Sequence, residues 1–273
     1  RQALNINEYL PEAHYQLSNV YFFAKGDYNQ SLQSALKAHQ LNPNYVEANQ
    51  HLCFLYVLAG QNDKARPYIE HAVNIDPLSQ ETRFFQALFA YATYDFAQAL
   101  DILNQSLVAN PLNVPAHTLK CYCLLQLGRA PEVKGYFEAL PPEIVVEGDK
   151  KGVEALYYVF NNEEIKARTC LQALEEAAQQ PTGFRENSFL WFLYAQLHEN
   201  DLAFTWAAKE AKQHSTFLMI HYCDVMAAPL REDPRYVEFQ QKIYAIETEI
   251  PQTPKAKKTL IAASEVTAYL TKL

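Results

Sequence analysis

The stretch LNPNYVEANQHL, Leu41 to Leu52, decides how this chain folds. It breaks at Asn42-Pro43, turns through polar residues and opens a new amphipathic run. NIDPLSQETRFF from Asn74 and VANPLNVPAHTL from Val108 repeat that order. Their prolines, Pro43, Pro77 and Pro111, follow one another at intervals of 34 residues. Proline lacks an N–H and clashes with the preceding turn, so each one ends a helix. An interval of 34 leaves room for two helices and two short turns.

The repeat from Val46 shows what the interval holds. Leu52, Cys53 and Tyr56 lie on its first helix, Gly60 in the turn, Ala65, Ile69 and Ala72 on its second helix, and Pro77 ends it. Small residues at Cys53, Ala65 and Ala72 let two antiparallel helices approach closely, while Leu52, Tyr56 and Ile69 fill the remaining volume. Gly60 relaxes the backbone where the helices join. The preceding repeat gives Leu17, Ser18, Tyr21, Gly26, Ser31, Ala35 and Ala38, with one extra residue before its turn. The next keeps Ala87, Ala99, Leu103 and Pro111, and a fourth runs through His117, Cys121, Leu124, Gly128, Val133 and Phe137 to Pro141-Pro142. The period and these positions resemble the tetratricopeptide repeat, with the family's leading aromatic replaced by Asn49. The resemblance implies an all-α fold, a right-handed superhelix of antiparallel helix pairs. Ala3 stands where Ala38 and Ala72 stand, so the chain is expected to begin inside a repeat of a longer protein.

After Glu143 the strict period is lost, but helix pairs are expected around Asn161-Asn162 and around His198-Glu199-Asn200. Leu190, Leu193, Tyr194 and Leu197 recur at helical spacing, as do Leu202, Trp206 and Lys209. FLMIHYCDVM, Phe217 to Met226, reads as a short apolar helix that Pro229 ends. In MAAPLREDPRYVEF, Met226 to Phe239, Asp233 is placed to cap a helix with Pro234 in its first turn. Tyr236, Phe239, Ile243 and Ile246 share a face of that helix, and Arg231 or Arg235 can pair with Glu232 or Asp233. Ala203, Phe204 and Trp206, followed by Pro229, Leu230, Arg231, Asp233, Pro234, Arg235 and Tyr236, resemble the tail of repeat regions in bacterial signalling proteins. Beyond the Pro251 to Pro254 linker, Leu260, Val266, Leu270 and Leu273 stripe a helix similar to one leading into an AraC-type DNA-binding domain. The expected organisation is therefore a repeat array over 1–142, degenerate helix pairs with a closing helix over 143–247, and a linker and helix over 248–273.

The bulk composition narrows the function. A formal net charge of −8 with no basic run disfavours direct nucleic-acid binding by this segment, although a parent protein could carry a DNA-reading domain. No apolar run approaches a membrane span. Five cysteines without regular spacing suit reduced, buried thiols of a cytoplasmic protein. Scarce glycine, 7 residues, argues against strands joined by tight turns.

No nucleotide-binding, metalloprotease or nucleophile-elbow motif occurs, so no catalysis and no cofactor are expected. Cys121 and Cys123 point to opposite sides of a helix, and His117 with Cys121 lacks a second ligand pair, so no metal is expected. The expected function is a non-catalytic interaction or sensory scaffold within a bacterial transcription regulator. Its partner would be a protein, a peptide, another domain of the same chain or a second copy. Self-association, or a place beside a cyclase-like enzyme, is the alternative. The resemblance implies that first helices line a concave groove, at Tyr15, Asn19, Phe22, Gln50, Phe54, Phe84, Leu88 and Tyr122. That aromatic surface suits apolar anchors. It lacks the Lys/Asn/Arg set that clamps chaperone C-terminal carboxylates, only Asn19 falling on such a position.

Overall fold

A computed structural model describes residues 7–142, 147–180, 184–212 and 224–244. All regular structure among them is helical. Ala3, Cys223, Ile246 and the 248–273 segment lie outside the described residues, as does the side chain of Ile243. Contacts group the chain into two compact units, 1–89 with 238–273, and 90–237. In the first unit α1 (Pro11–Asn19) runs into a π-helical turn (Val20–Ala24), followed by α2 (Tyr28–Leu41), α3 (Val46–Leu58) and α4 (Asn62–Ile75). Helix α5 (Gln80–Ala92) crosses from the first unit into the second. The second unit continues with α6 (Phe96–Ala109), α7 (Val114–Gln126), α8 (Ala130–Glu138), α9 (Glu147–Phe160), α10 (Glu164–Ala178), α11 (Phe184–Gln196) and α12 (Asn200–Lys212). A 3₁₀ helix (Val225–Glu232) and α13 (Pro234–Tyr244) follow.

Within the units helices pack on their sequence neighbours, α1 on α2 and α3 on α4, then α9 on α10 and α11 on α12. First helices also meet the first helix of the next pair, as α7 meets α9 and α9 meets α11. This is the expected all-α arrangement of helix pairs. The small residues Cys53, Ala65, Ala72, Ala99 and Cys121 are all buried between the helices. In the first pair Ser18 and Ser31 stand where Cys53 and Ala65 stand. Their hydroxyls satisfy each other at 2.9 Å, and Ser18 also donates to the Ser31 carbonyl at 2.7 Å.

The register is fixed by backbone turns. Gly26, Gly60, Tyr94, Gly128 and Asn162 all have positive φ, at 65°, 67°, 66°, 71° and 57°, and each stands 34 residues after the last. His198 repeats the turn at 59°. At each, the left-handed residue follows a first helix and the next N–H reaches back to close it. Gln61 donates to the Tyr56 carbonyl at 2.8 Å, Asp95 to Ala90 at 2.9 Å, Arg129 to Leu124 at 2.9 Å, Glu163 to Tyr158 at 2.9 Å and Glu199 to Tyr194 at 2.9 Å. These are Schellman closures, and the donor residue immediately precedes the second helix. Asp27 and Asp95 also cap that second helix, accepting from Gln30 at 2.8 Å and Gln98 at 3.1 Å. The period thus outlasts the sequence pattern. Asn162 continues it past Glu143 because Asn tolerates the left-handed region that glycine holds elsewhere.

The extra residue before Gly26 has a structural home. The π turn absorbs it, and Asp27 closes on the Tyr21 carbonyl at 2.8 Å, six positions back instead of five. At the opposite end of each pair, Asn42, Asp76 and Asn110 turn their side chains onto the N–H groups of Asn44, Leu78 and Leu112, at 3.0, 3.3 and 3.3 Å. These are Asx turns, the reason Asn or Asp precedes each proline. The next first helix is latched to the same loop. His14, Asn49, Arg83 and His117 bond the carbonyls of Glu8, Pro43, Pro77 and Pro111, at 2.9, 2.8, 3.3 and 2.9 Å. The position of the missing aromatic is therefore a polar latch.

The C-terminal stretch corrects one expectation. Pro229 does not end a helix, because it lies inside the 3₁₀ helix Val225–Glu232. Phe217–Cys223 lies outside the described residues. Asp233 does cap α13, accepting from the Arg235 N–H at 3.0 Å. The Arg235 guanidinium pairs with Asp233 and with Asp201, both at 2.7 Å, and lies 4.6 Å over the Phe204 ring. Leu202 faces solvent, while Trp206 is buried.

Two helical glycines of the second unit separate packing from propensity. A Cβ on Gly152 would stand 2.2 Å from Cγ of Phe189, whereas one on Gly135 meets nothing within 4 Å. Gly152→Ala is expected to lose roughly 1–3 kcal/mol through overpacking. Gly135→Ala should gain about 0.5–1 kcal/mol from helix propensity. Urea denaturation of the two variants checks the opposite signs.

Candidate functional site

In the first unit, first helices α1, α3 and α5 carry the residues expected to form a groove. Tyr15 and Asn19 lie half-buried on α1, and Phe84 and Leu88 half-buried on α5. Phe22, Gln50 and Phe54 are buried, which corrects their placement on an open surface. Phe22 lies in the π turn and is wholly covered, its ring 5.4 Å from Phe54. Gln50 donates to the Thr82 hydroxyl at 2.8 Å and ties α3 to α5. Tyr122 belongs to the second unit and is also buried, 6.4 Å from Tyr91.

What the first unit does bring together is a continuous row of rings. Tyr15 stands edge-on to Tyr45 at 5.6 Å and to His51 at 5.9 Å. His51 lies 6.4 Å from Phe22 and 6.0 Å from Phe54. Phe54 reaches Phe85 at 6.2 Å, and Phe85 reaches Phe84 at 5.6 Å. Phe22, His51 and Phe54 are the buried floor of this row; Tyr15, Tyr45, Phe84 and Phe85 are half-buried, and Leu88, one turn on from Phe84, is half-buried on the same helix. Sequence reasoning missed His51, Tyr45 and Phe85. The signal for His51 was its place on the stacking face of α3, one position before the Leu52 that was recognised.

Carboxylates border the row. Glu12, Glu47 and Glu81 occupy the first turns of α1, α3 and α5, where they also complement the helix dipoles. Burial raises the Glu81 carboxyl above its usual range and Glu47 adds to it. Burial likewise raises the Tyr15 hydroxyl; an Asn19 hydrogen bond opposes this, and Glu81 and Glu47 contribute.

The cysteine and histidine pairs considered for metal are otherwise engaged. Cys121 and Cys123 are fully buried, and burial pushes both thiols up to about 12. His117 bonds Pro111 through Nε2, and its Nδ1 lies 2.5 Å from the Tyr136 hydroxyl. With Nε2–H donating, Nδ1 accepts from Tyr136, which fixes the neutral tautomer. His198 is a turn residue, and Glu199 accepts from Arg168 at 2.8 Å. Among the described residues no group of three such side chains converges.

Comparison with known proteins agrees with the pairing. The tetratricopeptide-repeat family pattern matches residues 22–83, which run from the π turn of the first unit into α5. The chain is similar to the solved structure of PilF of Pseudomonas aeruginosa, at 16% identity over 74% of this chain and 91% of that one, with a TM-score of 0.51. It is also similar to a tetratricopeptide repeat protein from Parabacteroides merdae, at 15% identity over 93% of this chain and 98% of that one, with a TM-score of 0.48. At 16% identity the likeness to PilF is one of fold. No curated protein sequence matches the chain.

The row has a built-in acid sensitivity. Burial alone pushes His51 down to about 3, so the folded first unit holds it neutral. The unfolded chain takes up that proton near pH 6.5. Stability contributed by the neutral ring is therefore complete above pH 6.5 and is lost as the pH falls toward 3, by up to about 1.4 kcal/mol per unit. Wild-type protein should melt at lower temperature at pH 5 than at pH 7, and His51→Phe should flatten that dependence, as read by circular dichroism.

Proposed function

We propose that this chain is a non-catalytic scaffold that binds a protein or peptide through the first-helix face of its first unit. The observation that carries this is the ring row from Tyr15 to Phe84, closed below and half-open above. An apolar side chain laid on Tyr15, Phe84 and Leu88 would bury surface without reorganising the floor. Preorganisation of that kind keeps the cost of binding low. The bordering Glu47 and Glu81 favour a partner that also carries a basic group, because the repulsion Glu47 exerts on the Glu81 carboxyl is relieved by an opposite charge. The proposed setting is a bacterial transcription regulator. It rests on the Ala203-Phe204-x-Trp206 and Pro229-to-Tyr236 elements, which meet where Arg235 covers Phe204.

The test substitutes accessible residues only. Phe84→Ala with Leu88→Ala should weaken capture of partners from extracts of the source cells by roughly 5- to 30-fold, the range for losing an apolar anchor or two. The melting temperature should change little, since both side chains are half-exposed. Undiminished capture by the double variant would contradict this assignment.

A further inference from the structure

The second unit presents the same kind of face, but there it is filled. The segment Val225–Glu232 follows Asp224 and lies against first helices. Its anchors come from three of them. Tyr91 of α5 donates its hydroxyl to Asp224 at 2.7 Å. Gln126 of α7 reaches the Met226 sulfur at 3.4 Å, and Gln196 of α11 donates to the Met226 carbonyl at 2.6 Å. Gln126 and Gln196 are equivalent positions, each two residues before the left-handed residue of its turn, at Gly128 and His198. Arg231 closes the other end, bonding the Tyr94 hydroxyl and, at 3.2 Å, the Asp224 carbonyl. Between these anchors Met226, Ala227 and Leu230 are completely covered and Val225 nearly so.

The chemistry is that of a bound peptide more than of a packed helix. Six of the nine residues of Asp224–Glu232 are apolar but short-reaching, with Met226 and Leu230 the longest. The start of the segment is held by polar side chains of three different helices, two of them at equivalent positions on Met226, and its end by its own Arg231 on Tyr94. We infer that the first-helix face of the second unit is a peptide-binding surface, and that Asp224–Glu232 is its internal ligand. An external ligand would share that chemistry: an acidic residue, methionine two positions on, leucine four further, then arginine. The tether gives the internal segment an effective concentration on the order of millimolar, so an external peptide gains access only by outcompeting it. For the segment to be docked as observed, the same peptide in trans must bind a vacated face with a Kd below about 1 mM. This assignment concerns the second unit alone and stands independently of the ring row in the first.

The probe is a fluorescein-labelled peptide with the sequence of Asp224–Arg235, titrated with the full 273-residue chain and read by anisotropy. Met226→Asp in the chain places a carboxylate where the side chain is fully covered and should eject the segment. That variant should bind the peptide one to one and at least tenfold more tightly than wild type. A second variant, Asp224→Ala with Arg231→Ala, loosens both ends without burying a charge and should give intermediate affinity. A helical Met226→Asp protein that binds no better than wild type would overturn the assignment. Loss of helical circular dichroism in both variants would overturn it too, because the segment would then be part of the fold.

Discussion

The structure depends on one backbone constraint: a residue in the left-handed region at the end of each first helix, closed by a Schellman pair. That geometry reverses the chain within the residues needed to end one helix and start the next, since the closing donor immediately precedes the second helix. It appears at Gly26, Gly60, Tyr94, Gly128 and Asn162 with one spacing, and again at His198. An L-residue there costs roughly 1–2 kcal/mol that glycine avoids. Tyr94 is held against that cost by its ring contact with Phe96 at 5.8 Å and by Arg231 on its hydroxyl.

The far ends of the pairs are governed by a second, polar device. An Asx side chain turns the loop before proline, and a side chain from the next first helix bonds the carbonyl at the proline position or its equivalent. Together the two devices set where each helix starts and stops, while the buried small and large residues set how the helices pack. First-helix faces are then free to vary. In the first unit that face is a ring row with accessible members, and in the second it is covered by Asp224–Glu232. One scaffold rule thus yields one open face and one occupied face.

Much of the fold was legible in the sequence because its rule is local. Proline after Asn or Asp, glycine 17 residues later at Gly60, and small residues at Cys53, Ala65 and Ala72 are all read from short stretches. The rule ceased to be visible after Glu143 because Asn162 and His198 do the work of glycine with different residues. The π turn was visible only as an inserted residue, since absorption into a helix and looping out look alike in a sequence. The face was half legible. Tyr15, Asn19, Phe84 and Leu88 lie half-buried on first helices, whereas the burial of Phe22, Phe54 and Tyr122 depends on distant neighbours. Asp224–Glu232 was read as a closing piece whose charges satisfy termini. Its docking against Tyr91, Gln126 and Gln196 joins positions about 30 to 133 residues apart, which no local pattern announces.

The central claim, that one turn geometry continues where the sequence pattern stops, is tested most directly at Asn162. In a left-handed position glycine is preferred to alanine, whereas in a helix alanine is preferred to glycine by about 1 kcal/mol. Urea denaturation of Asn162→Gly and Asn162→Ala therefore reads the backbone from the sign of their difference. The account predicts that the glycine variant is the more stable by roughly 1 kcal/mol. An alanine variant more stable than the glycine one would contradict it.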